Sequence, residues 1–580
     1  MDSSELDLAV NGDHKPQLPS KTQLPSKRSL LPHCPNEDDG DEVLFSEYLS
    51  SISSSLDLIP APSKRSRSDE MVRVSSSDDV FYRSLVRRTR ITYDSLRSLV
   101  AAEERRLTPG HRRRADLVAG AKMKRLGLWL HRDKRIIGSI PGVSVGDVFF
   151  YRVEMMTVAV HGHIQAGIDY VCSRGANACF PIATSVVLSG GYEDDDDQGD
   201  VIIYSGSGGR KKNNVSTTAP QSLSRGNLAL EKSKEFGIEL RVIRGFTFDR
   251  SPSGRVYVYD GLYKVIDSWP DAGKSGFGVY KFKLLRIEGQ EPMGSVVLQL
   301  AMDLKTKILK SSPSGYLSQD ISNGQERYPI SLFNDIDNDK EPLLFEYAPK
   351  PEYPSVVFQE TMEMKRRNGC RCVENCCASC ACIKRNGGEF AYDGNGLLLR
   401  GKPLVYECGT SCRCPPSCPN RVSQKGLRHQ LEVFRSKETG WGVRSLDVIR
   451  AGEFICEFTG KVRTEDQLEA IMRNGGSLVY PSLFPGRWRE WGDISDVVGD
   501  YKPHGFSSYM KSSFAVDVTR KRNVACYLSH STRPNVFVQM VLHDHYNEMF
   551  PHLMVFAMEN IPPLRELSID YGVEMDNFVD

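Results

Sequence analysis

The sequence lacks any apolar run approaching the roughly 18–20 consecutive residues that a membrane-spanning helix needs. Its first residues, MDSSELDLAV, also lack the basic and then apolar pattern of a secretory signal. We therefore expect a soluble, intracellular protein without a membrane partner. Net charge is low as well, at +1 over 580 residues, so the overall charge indicates no class of partner.

The length of the chain predicts several domains. It has 580 residues, of which 40% are hydrophobic, whereas a typical domain holds roughly 100–200 residues. Residues 1–71 are rich in Ser, Pro, Asp and Lys and poor in aromatic residues, so they cannot bury enough apolar area to offset the entropy of ordering. We predict a disordered tail there. Its basic run, PSKRSRSDE, is either a nuclear import signal or an ordinary tail segment.

Residues 72–136 carry a local excess of positive charge. Between residues 81 and 135 there are sixteen Lys or Arg against five Asp or Glu. Apolar residues recur at helical spacing, which predicts two amphipathic helices joined near Pro109-Gly110. The arginines between them either form a solvated helix face or bind the phosphates of a nucleic acid, and the sequence leaves both interpretations open.

The remaining chain alternates β-rich and irregular segments. Short runs of Val, Ile, Tyr and Phe between Gly and Asp predict a β-rich, barrel-like domain over residues 137–288. Residues 289–365 are interpreted as a connector that packs on its neighbours. The segments that follow are a cysteine block at 366–425, a second β-rich domain at 428–573 and a short tail at 574–580.

The stretch GGYEDDDDQGDVIIYSGSGG places aromatic, acidic and hydroxyl side chains around one glycine-bounded hairpin. Taken alone, its acidic run is typical of a surface loop or a weak Ca²⁺ site. Together with IPGVSVGDVFFYR, YVYDGLYKV and VYKFKLLR, it resembles the SET- and RING-associated (SRA, or YDG) domain. That resemblance implies a domain that flips 5-methylcytosine out of duplex DNA.

A flipped base needs aromatic faces to stack on and a polar group for its Watson–Crick edge. Tyr192 and Tyr204 supply such faces. The resemblance implies that Asp195 accepts the cytosine amino group, with Ser205 beside it. It also implies that Gln165, in the loop VHGHIQAGI, fills the gap left in the duplex. The basic loop after the hairpin suits phosphate contacts through Arg210, Lys211 and Lys212.

The cysteine block predicts a structural zinc cluster, because CxC spacing in an intracellular chain indicates metal rather than disulfides. The predicted ligands are Cys370, Cys372, Cys376, Cys380, Cys382, Cys408, Cys412, Cys414 and Cys418. Three tetrahedral Zn²⁺ need twelve ligand positions, which nine sulfurs supply if three of them each bridge two ions. Cys377 is an alternative to Cys376, although the spacing favours Cys376. The block, which ends in YECGTSCRCPPSCPNR, resembles the pre-SET domain of SET-type lysine methyltransferases.

The second β-rich domain resembles a SET domain, which binds S-adenosylmethionine. GWGVRSLDVIRAGEFICEFTG and RNVACYLSHSTRPNVFVQ carry this resemblance. It implies a cofactor site formed by Gly440, Trp441, Gly442, Ser529 and His530. Tyr571, in ELSIDYG, takes the position of the catalytic tyrosine or packs in the core.

This sequence departs from active SET domains at several positions. Active relatives have Arg, Asn and Cys where this chain has Cys526, Ser529 and Thr532. No cysteine follows Gly572, so we expect no post-SET segment and no zinc-bound lid over the substrate channel. These differences predict weak cofactor binding and a vestigial catalytic role for Tyr571.

Taken together, the chain resembles the plant SUVH histone methyltransferase homologues, in the subgroup without a post-SET segment. The fold expected from it is a multidomain α+β protein with a helical N-terminal segment, a barrel-like SRA domain, a pre-SET cluster of three zinc ions and nine cysteines, and a mostly β SET domain. The resemblance implies a nuclear, chromosomal protein that binds methylated double-stranded DNA. It would promote gene silencing and DNA methylation, of the RNA-directed type, by recruiting silencing-complex proteins. The alternative is an active histone H3 lysine methyltransferase, of the lysine-9 type, targeted by the same DNA contact.

Overall fold

The computed structural model describes residues 71–72, 79–107, 114–174, 179–190, 193–209, 218–310, 313–358, 369–377, 379–497, 514–545 and 547–572. Contacts divide the chain into two compact units. The N-terminal unit holds the described parts of residues 60–93 and 110–299, and the C-terminal unit holds those of 94–109 and 300–580. The predicted disordered tail up to residue 70 and the helix junction at Pro109-Gly110 lie outside the described residues.

The predicted helical N-terminal segment is present as two helices. The α-helices of the described residues are α1 (Asp79–Leu107), α2 (Ala115–Arg125), α3 (Arg152–Thr157), α4 (Gly226–Glu235), α5 (Gly294–Lys310), α6 (Ala381–Arg385) and α7 (Glu465–Arg473). Within the described residues, no helix combines the length and apolarity required to cross a membrane.

Two arginines of α1 are neither solvated nor open to nucleic acid. Arg90 is buried and donates two hydrogen bonds to Glu154, at 2.8 and 3.0 Å. Burial opposes its charge, but Glu154 and Asp147 keep the pKa of Arg90 above its usual value. Arg83 pairs in the same way with the fully buried Asp147. These arginines therefore attach α1 to the fold.

The N-terminal unit is built on one eight-stranded sheet, in the order β4-β5-β8-β9-β10-β7-β6, with β3 paired to β9. Its strands are β3 (Val148–Phe149), β4 (Ile168–Arg174), β5 (Cys179–Leu188), β6 (Asp196–Asp197), β7 (Val201–Ser205), β8 (Glu239–Thr247), β9 (Arg255–Ala272) and β10 (Gly278–Arg286). A short parallel pair, β1 (Met71–Val72) and β2 (Arg135–Ile136), lies outside this sheet. Helix α4 adds Ala229 and Leu230 to the apolar core on the sheet.

The C-terminal unit is mostly β. Its strands are β11 (Tyr316–Ser318), β12 (Ser331–Phe333), β13 (Glu346–Tyr347), β14 (Val405–Tyr406), β15 (Leu431–Ser436), β16 (Gly440–Ser445), β17 (Phe454–Glu457), β18 (Lys461–Thr464), β19 (Leu478–Val479), β20 (Phe514–Asp517), β21 (Lys521–Arg522), β22 (Ser529–His530), β23 (Val536–Leu542), β24 (His552–Ala557) and β25 (Glu566–Ile569). One sheet has the order β11-β12-β15-β16-β25-β22, so strands from the predicted connector pair directly with strands of the C-terminal β-rich domain. Leu332 of the connector accordingly lies in the same apolar core as Val433 and Leu567.

Candidate functional site: a hairpin pocket, a thiol cluster and a three-strand edge

The acidic run forms a hairpin with β7. Strand β6 pairs antiparallel with β7, so that Asp196 lies opposite Ile203 and Asp197 opposite Ile202. This register carries Asp195, the residue before β6, to the end of β7. There its carboxylate accepts a hydrogen bond from the backbone amide of Ser205 at 2.8 Å. Two residues of the predicted base site are therefore neighbours.

The other aspartates of the run have structural partners. Asp194 is buried and accepts the amide of Lys274 at 2.7 Å, which fixes the hairpin to the turn before β10. Asp197 binds the guanidinium of Arg244 through two hydrogen bonds of 2.7 Å. Among the described residues, no group able to hold a metal includes these aspartates. Asp195 is half-buried and lies next to Ser205.

Ser205 carries the clearest sign of a binding site. Its side chain is 1% exposed, and its Oγ atom has no hydrogen-bond partner among the described residues. Burying an unsatisfied hydroxyl costs about 1–3 kcal/mol, so such groups are uncommon unless a ligand completes them. The loop after it is rigid: Asn227 accepts the amide of Ser207 at 2.7 Å, and Gln221 donates to the carbonyl of Gly206.

Gln165 stands exposed on a loop that the fold holds at its base. His161 binds the hydroxyl of Ser185 at 2.9 Å, and burial lowers the pKa of His161 to about 4, so its ring stays neutral. Arg152, at the start of α3, donates to the carbonyl of Ala166 at 3.0 Å. The loop from His161 to Gly167, which we call the finger loop, is therefore anchored to α3.

Tyr204 is nearly buried, at 2% exposure, and packs in the sheet core. Its hydroxyl lies against Gly167, where an added Cβ atom would be 2.6 Å away. Tyr204 therefore connects the hairpin to the finger loop. Four predicted DNA-binding residues lie outside the described residues: Tyr192, Arg210, Lys211 and Lys212.

The nine predicted zinc ligands gather in one cluster. Three groups of four sulfurs lie within 4.8 Å of one another: Cys370, Cys382, Cys408 and Cys412; Cys370, Cys372, Cys376 and Cys380; Cys370, Cys376, Cys408 and Cys414. Tetrahedral Zn–S bonds of about 2.3 Å place sulfurs roughly 3.8 Å apart. The distances of 3.6 Å for Cys370–Cys376 and 3.4 Å for Cys376–Cys408 are close to that value.

The thiol cluster therefore fits three Zn²⁺. Cys370 belongs to all three of these groups, and Cys376 and Cys408 each belong to two, so the groups share sulfurs as nine ligands for three ions would require. Cys418 contacts the thiols of Cys376 and Cys408 and is therefore part of the same cluster. Cys377 instead lies 3.2 Å from the hydroxyl of Ser379 and belongs to none of the groups found among the described residues.

Strand pairing brings the predicted cofactor residues to one end of the SET sheet. Strand β25 lies between β16 and β22, with Val443 opposite Leu567 and Ser529 opposite Ser568. Gly440, Trp441 and Gly442 begin β16, and this register sets them at the same end of β25 as Ser529 and His530. Gly440 has a positive φ of 78°, which favours glycine at this turn.

Tyr571 closes this end of the sheet. Its hydroxyl donates to the carbonyl of Leu528 at 3.0 Å, and its amide lies 3.3 Å from Nδ1 of His530. Burial raises the pKa of Tyr571 above its usual range, so the phenol stays protonated. The ring of Phe484 packs on it at 5.7 Å. Tyr571 thus combines a core contact with an oriented hydroxyl.

Some residues of these sites carry no recognisable sequence signal. Asp339 accepts the indole N–H of Trp441 at 3.1 Å. Arg487 joins the carbonyl of Thr532 to the carboxylate of Asp570, at 3.1 and 2.7 Å. Asn227 holds the loop beside Ser205. Each is far from its partner in sequence, so only the fold reveals the contact.

Three family models match the chain: a SAD/SRA domain over residues 136–290, a pre-SET motif over 322–421 and a SET domain over 440–572. The histone-lysine N-methyltransferase family member SUVH9 of Arabidopsis thaliana is 52% identical over 519 residues, covering 88% of this chain and 79% of the relative. The crystal structure of SUVH9 matches with a TM-score of 0.77 at 51% identity, over 85% of this chain and 99% of that one. KRYPTONITE in complex with mCHG DNA and SAH matches with a TM-score of 0.67 at 33% identity, over 86% and 95%.

Proposed function

The chain belongs to the SUVH family of histone-lysine N-methyltransferase family members, and we propose that it binds methylated cytosine in double-stranded DNA at nuclear chromatin. The observation that carries the proposal is the buried Ser205 hydroxyl, without a partner among the described residues, beside the Asp195 carboxylate. A base flipped out of the duplex into this site would provide a hydrogen-bond partner for Oγ of Ser205.

The chemistry of the pocket suits cytosine. The carboxylate of Asp195 is the kind of acceptor that pairs with the cytosine amino group, and an ionised carboxylate has about four lone-pair sites. The anchored finger loop offers exposed Gln165 to the gap that an extruded base leaves. A relative of similar architecture has been solved with mCHG DNA, which supports this proposal.

The change Asp195→Asn tests the pocket. The amide oxygen can still accept the Ser205 amide, so the hairpin should fold, but the charged acceptor for the base is lost. We expect the free energy of binding to a methylated duplex to weaken by about 1–3 kcal/mol. The ratio of the affinities for the methylated and the unmethylated duplex should approach one. Fluorescence polarisation with matched duplexes measures both.

A neighbouring aspartate provides the control. Asp196 is exposed and hydrogen bonds only locally, to Gln198 at 2.9 Å, so Asp196→Asn removes the same charge from the same hairpin. This variant should keep the wild-type preference. Retention of that preference by Asp195→Asn as well would exclude Asp195 from the base pocket.

We further propose that the SET domain serves as a scaffold that recruits silencing and DNA-methylation proteins, with little catalysis. Ser529 is shorter than the asparagine it replaces, and losing one buried hydrogen bond to the cofactor costs about 1–3 kcal/mol. Cys526, which stands where active relatives have arginine, is half-buried, and desolvation raises the pKa of its thiol to about 12. It cannot provide a positive charge at this position.

The rival function is methyl transfer to histone H3, and the Tyr571 hydroxyl favours it, because that group is held in place by Leu528 at 3.0 Å. Methyl transfer from S-adenosylmethionine to an H3 peptide or a nucleosome separates the two functions. Turnover abolished by Tyr571→Phe would establish the enzyme, whereas no transfer together with methyl-DNA binding would support the scaffold.

A further inference from the structure

Residues 122–135, which we call the basic turn, include the end of α2 and take no part in the predicted base site. Residues 122–135 contain six basic side chains and one acidic one. Lys124, Arg125, Arg132 and Lys134 are exposed, as is the acidic Asp133. Unlike Arg83 and Arg90 of α1, which pair with buried carboxylates, Lys124 and Lys134 have no ion pair recorded among the described residues.

The fold holds this basic segment in a fixed shape. The indole N–H of Trp129 donates to the carbonyl of Gly120 at 2.9 Å, and the ammonium of Lys124 lies 5.3 Å from the Trp129 ring centre. Arg132 donates to the carbonyl of Lys124 at 3.1 Å, which closes the turn after α2. Lys124 and Lys134 therefore project from a rigid turn rather than from a free tail.

Positive charges in this turn repel one another. Burial and the charge of Arg125 lower the pKa of Lys122. Burial and the charge of Lys134 lower the pKa of His131 to about 4. The C-terminal end of the α2 dipole is negative, which explains the lysines in the last turn of this helix. It does not explain Lys134, which lies beyond the helix. An external anion would relieve the repulsion.

The basic turn is attached to the same short helix as the finger loop. Gly120 packs so closely on α3 that an added Cβ atom would lie 2.2 Å from Val153. The amide of Leu130 donates to the carbonyl of Thr157, at the end of α3, at 2.8 Å. Arg152, at the start of α3, holds the finger loop. Six helical residues span about 9 Å, so one rigid element joins both features.

We propose that the turn formed by residues 122–135, the basic turn, is a second DNA contact that binds backbone phosphates of the duplex whose base enters the pocket. This inference rests on the proposed function. Duplex DNA is the favoured partner because the basic turn shares α3 with the finger loop. Such a contact adds affinity without reading the base, since phosphates carry no sequence information.

The double variant Lys124→Gln/Lys134→Gln tests this contact in the full chain. Binding to methylated and unmethylated duplexes should weaken equally, roughly tenfold at 0.1 M salt. The slope of log affinity against log salt concentration should fall by about one unit per lysine. Lys124→Arg/Lys134→Arg should bind as the wild type does. Equal thermal unfolding of the variants establishes that the fold is intact.

Lys437→Gln/Lys461→Gln is the matched control, because it removes two exposed lysines from the C-terminal unit. An unchanged salt slope in Lys124→Gln/Lys134→Gln, or an equal loss in the control, overturns the proposal. A loss for RNA but not for duplex DNA also overturns it. Absence of methyl preference in the wild type would instead refute the proposed function, and the salt slopes on unmethylated duplex would still decide this inference.

Discussion

At the residue scale, His552 is the most strongly perturbed histidine of the C-terminal unit. It is buried between two carboxylates, with Nδ1 at 2.6 Å from Glu457 and Nε2 at 2.8 Å from Asp544. His543, Asp544 and His552 lie close enough to hold a metal, but the rings of His543 and His552 stack at 4.0 Å with planes 19° apart. Nitrogen lone pairs of stacked rings do not converge on one ion. A protonated His552 therefore explains the cluster better.

The charge on His552 predicts a pH dependence of stability. Burial opposes protonation, but Glu457 and Asp544 together raise the pKa of His552 from 6.5 to about 10. A raised folded-state pKa stabilises the fold fully below pH 6.5 and loses that effect as the pH rises through about 10. The difference in unfolding free energy between wild type and His552→Gln should therefore fall by roughly 1.4 kcal/mol per pH unit across this window.

Urea unfolding of both proteins at intervals from pH 6.5 to 10 measures this difference. Lysines and thiols titrate in both proteins, so their contributions cancel when the unfolding free energy of the variant is subtracted from that of the wild type. A difference that stays constant with pH would show that His552 is neutral in the folded state.

At the scale of elements, the more deeply buried of the two ion pairs that attach α1 is Arg90–Glu154. Glu154 lies in α3 and accepts hydrogen bonds from Arg90 and from the amide of Phe150. Glu154→Gln keeps the shape but removes the carboxylate that hydrogen bonds to the buried guanidinium of Arg90, so we expect a loss of roughly 3–5 kcal/mol in the free energy of unfolding. Chemical denaturation followed by circular dichroism measures it.

Glu235→Gln is the matched control, since its pair with Lys232 is exposed. Exposed pairs contribute about 0–1 kcal/mol, so this variant should unfold almost as the wild type does. Equal losses in the two variants would contradict a structural role for the Arg90–Glu154 pair.

The same elements show how far the sequence could predict the fold. Helical spacing predicted α1 and α2, short runs of Val, Ile, Tyr and Phe predicted the β-rich regions, and CxC spacing predicted the thiol cluster, because each signal is local. The partners of Arg90 and Trp441 were not predictable, since Glu154 and Asp339 lie far away in sequence. The resemblance indicated Asp195 within the acidic run, but its contact with the amide of Ser205 depends on the register of β6 on β7, which the sequence did not predict.

At the scale of the whole molecule, zinc should hold the middle of the chain together. The cysteine cluster has little apolar area of its own, and in the described part of the chain Ile383 and Phe390 are the large apolar side chains that pack with it. We expect about three zinc ions per chain by elemental analysis, and loss of the fold from residue 369 to 425 on chelation.

Limited proteolysis with and without a chelator locates this unfolding. Cleavage should appear within the cysteine block before it appears in the N-terminal unit, whose core contains no member of the thiol cluster. Cleavage that begins in the N-terminal unit, or a chain that keeps its resistance without zinc, would contradict a structural role for the metal.

Sharing of sulfurs also makes the cluster vulnerable to oxidants. Nine sulfurs fill the twelve ligand positions of three ions only if three of them each bind two ions, so converting a shared thiolate to a sulfinic acid would remove a ligand from two ions together. Oxidation of a sulfur that binds one ion would affect that ion alone. Oxidation of one shared thiolate should consequently disrupt the whole cluster, so the shared sulfurs are its most oxidation-sensitive atoms.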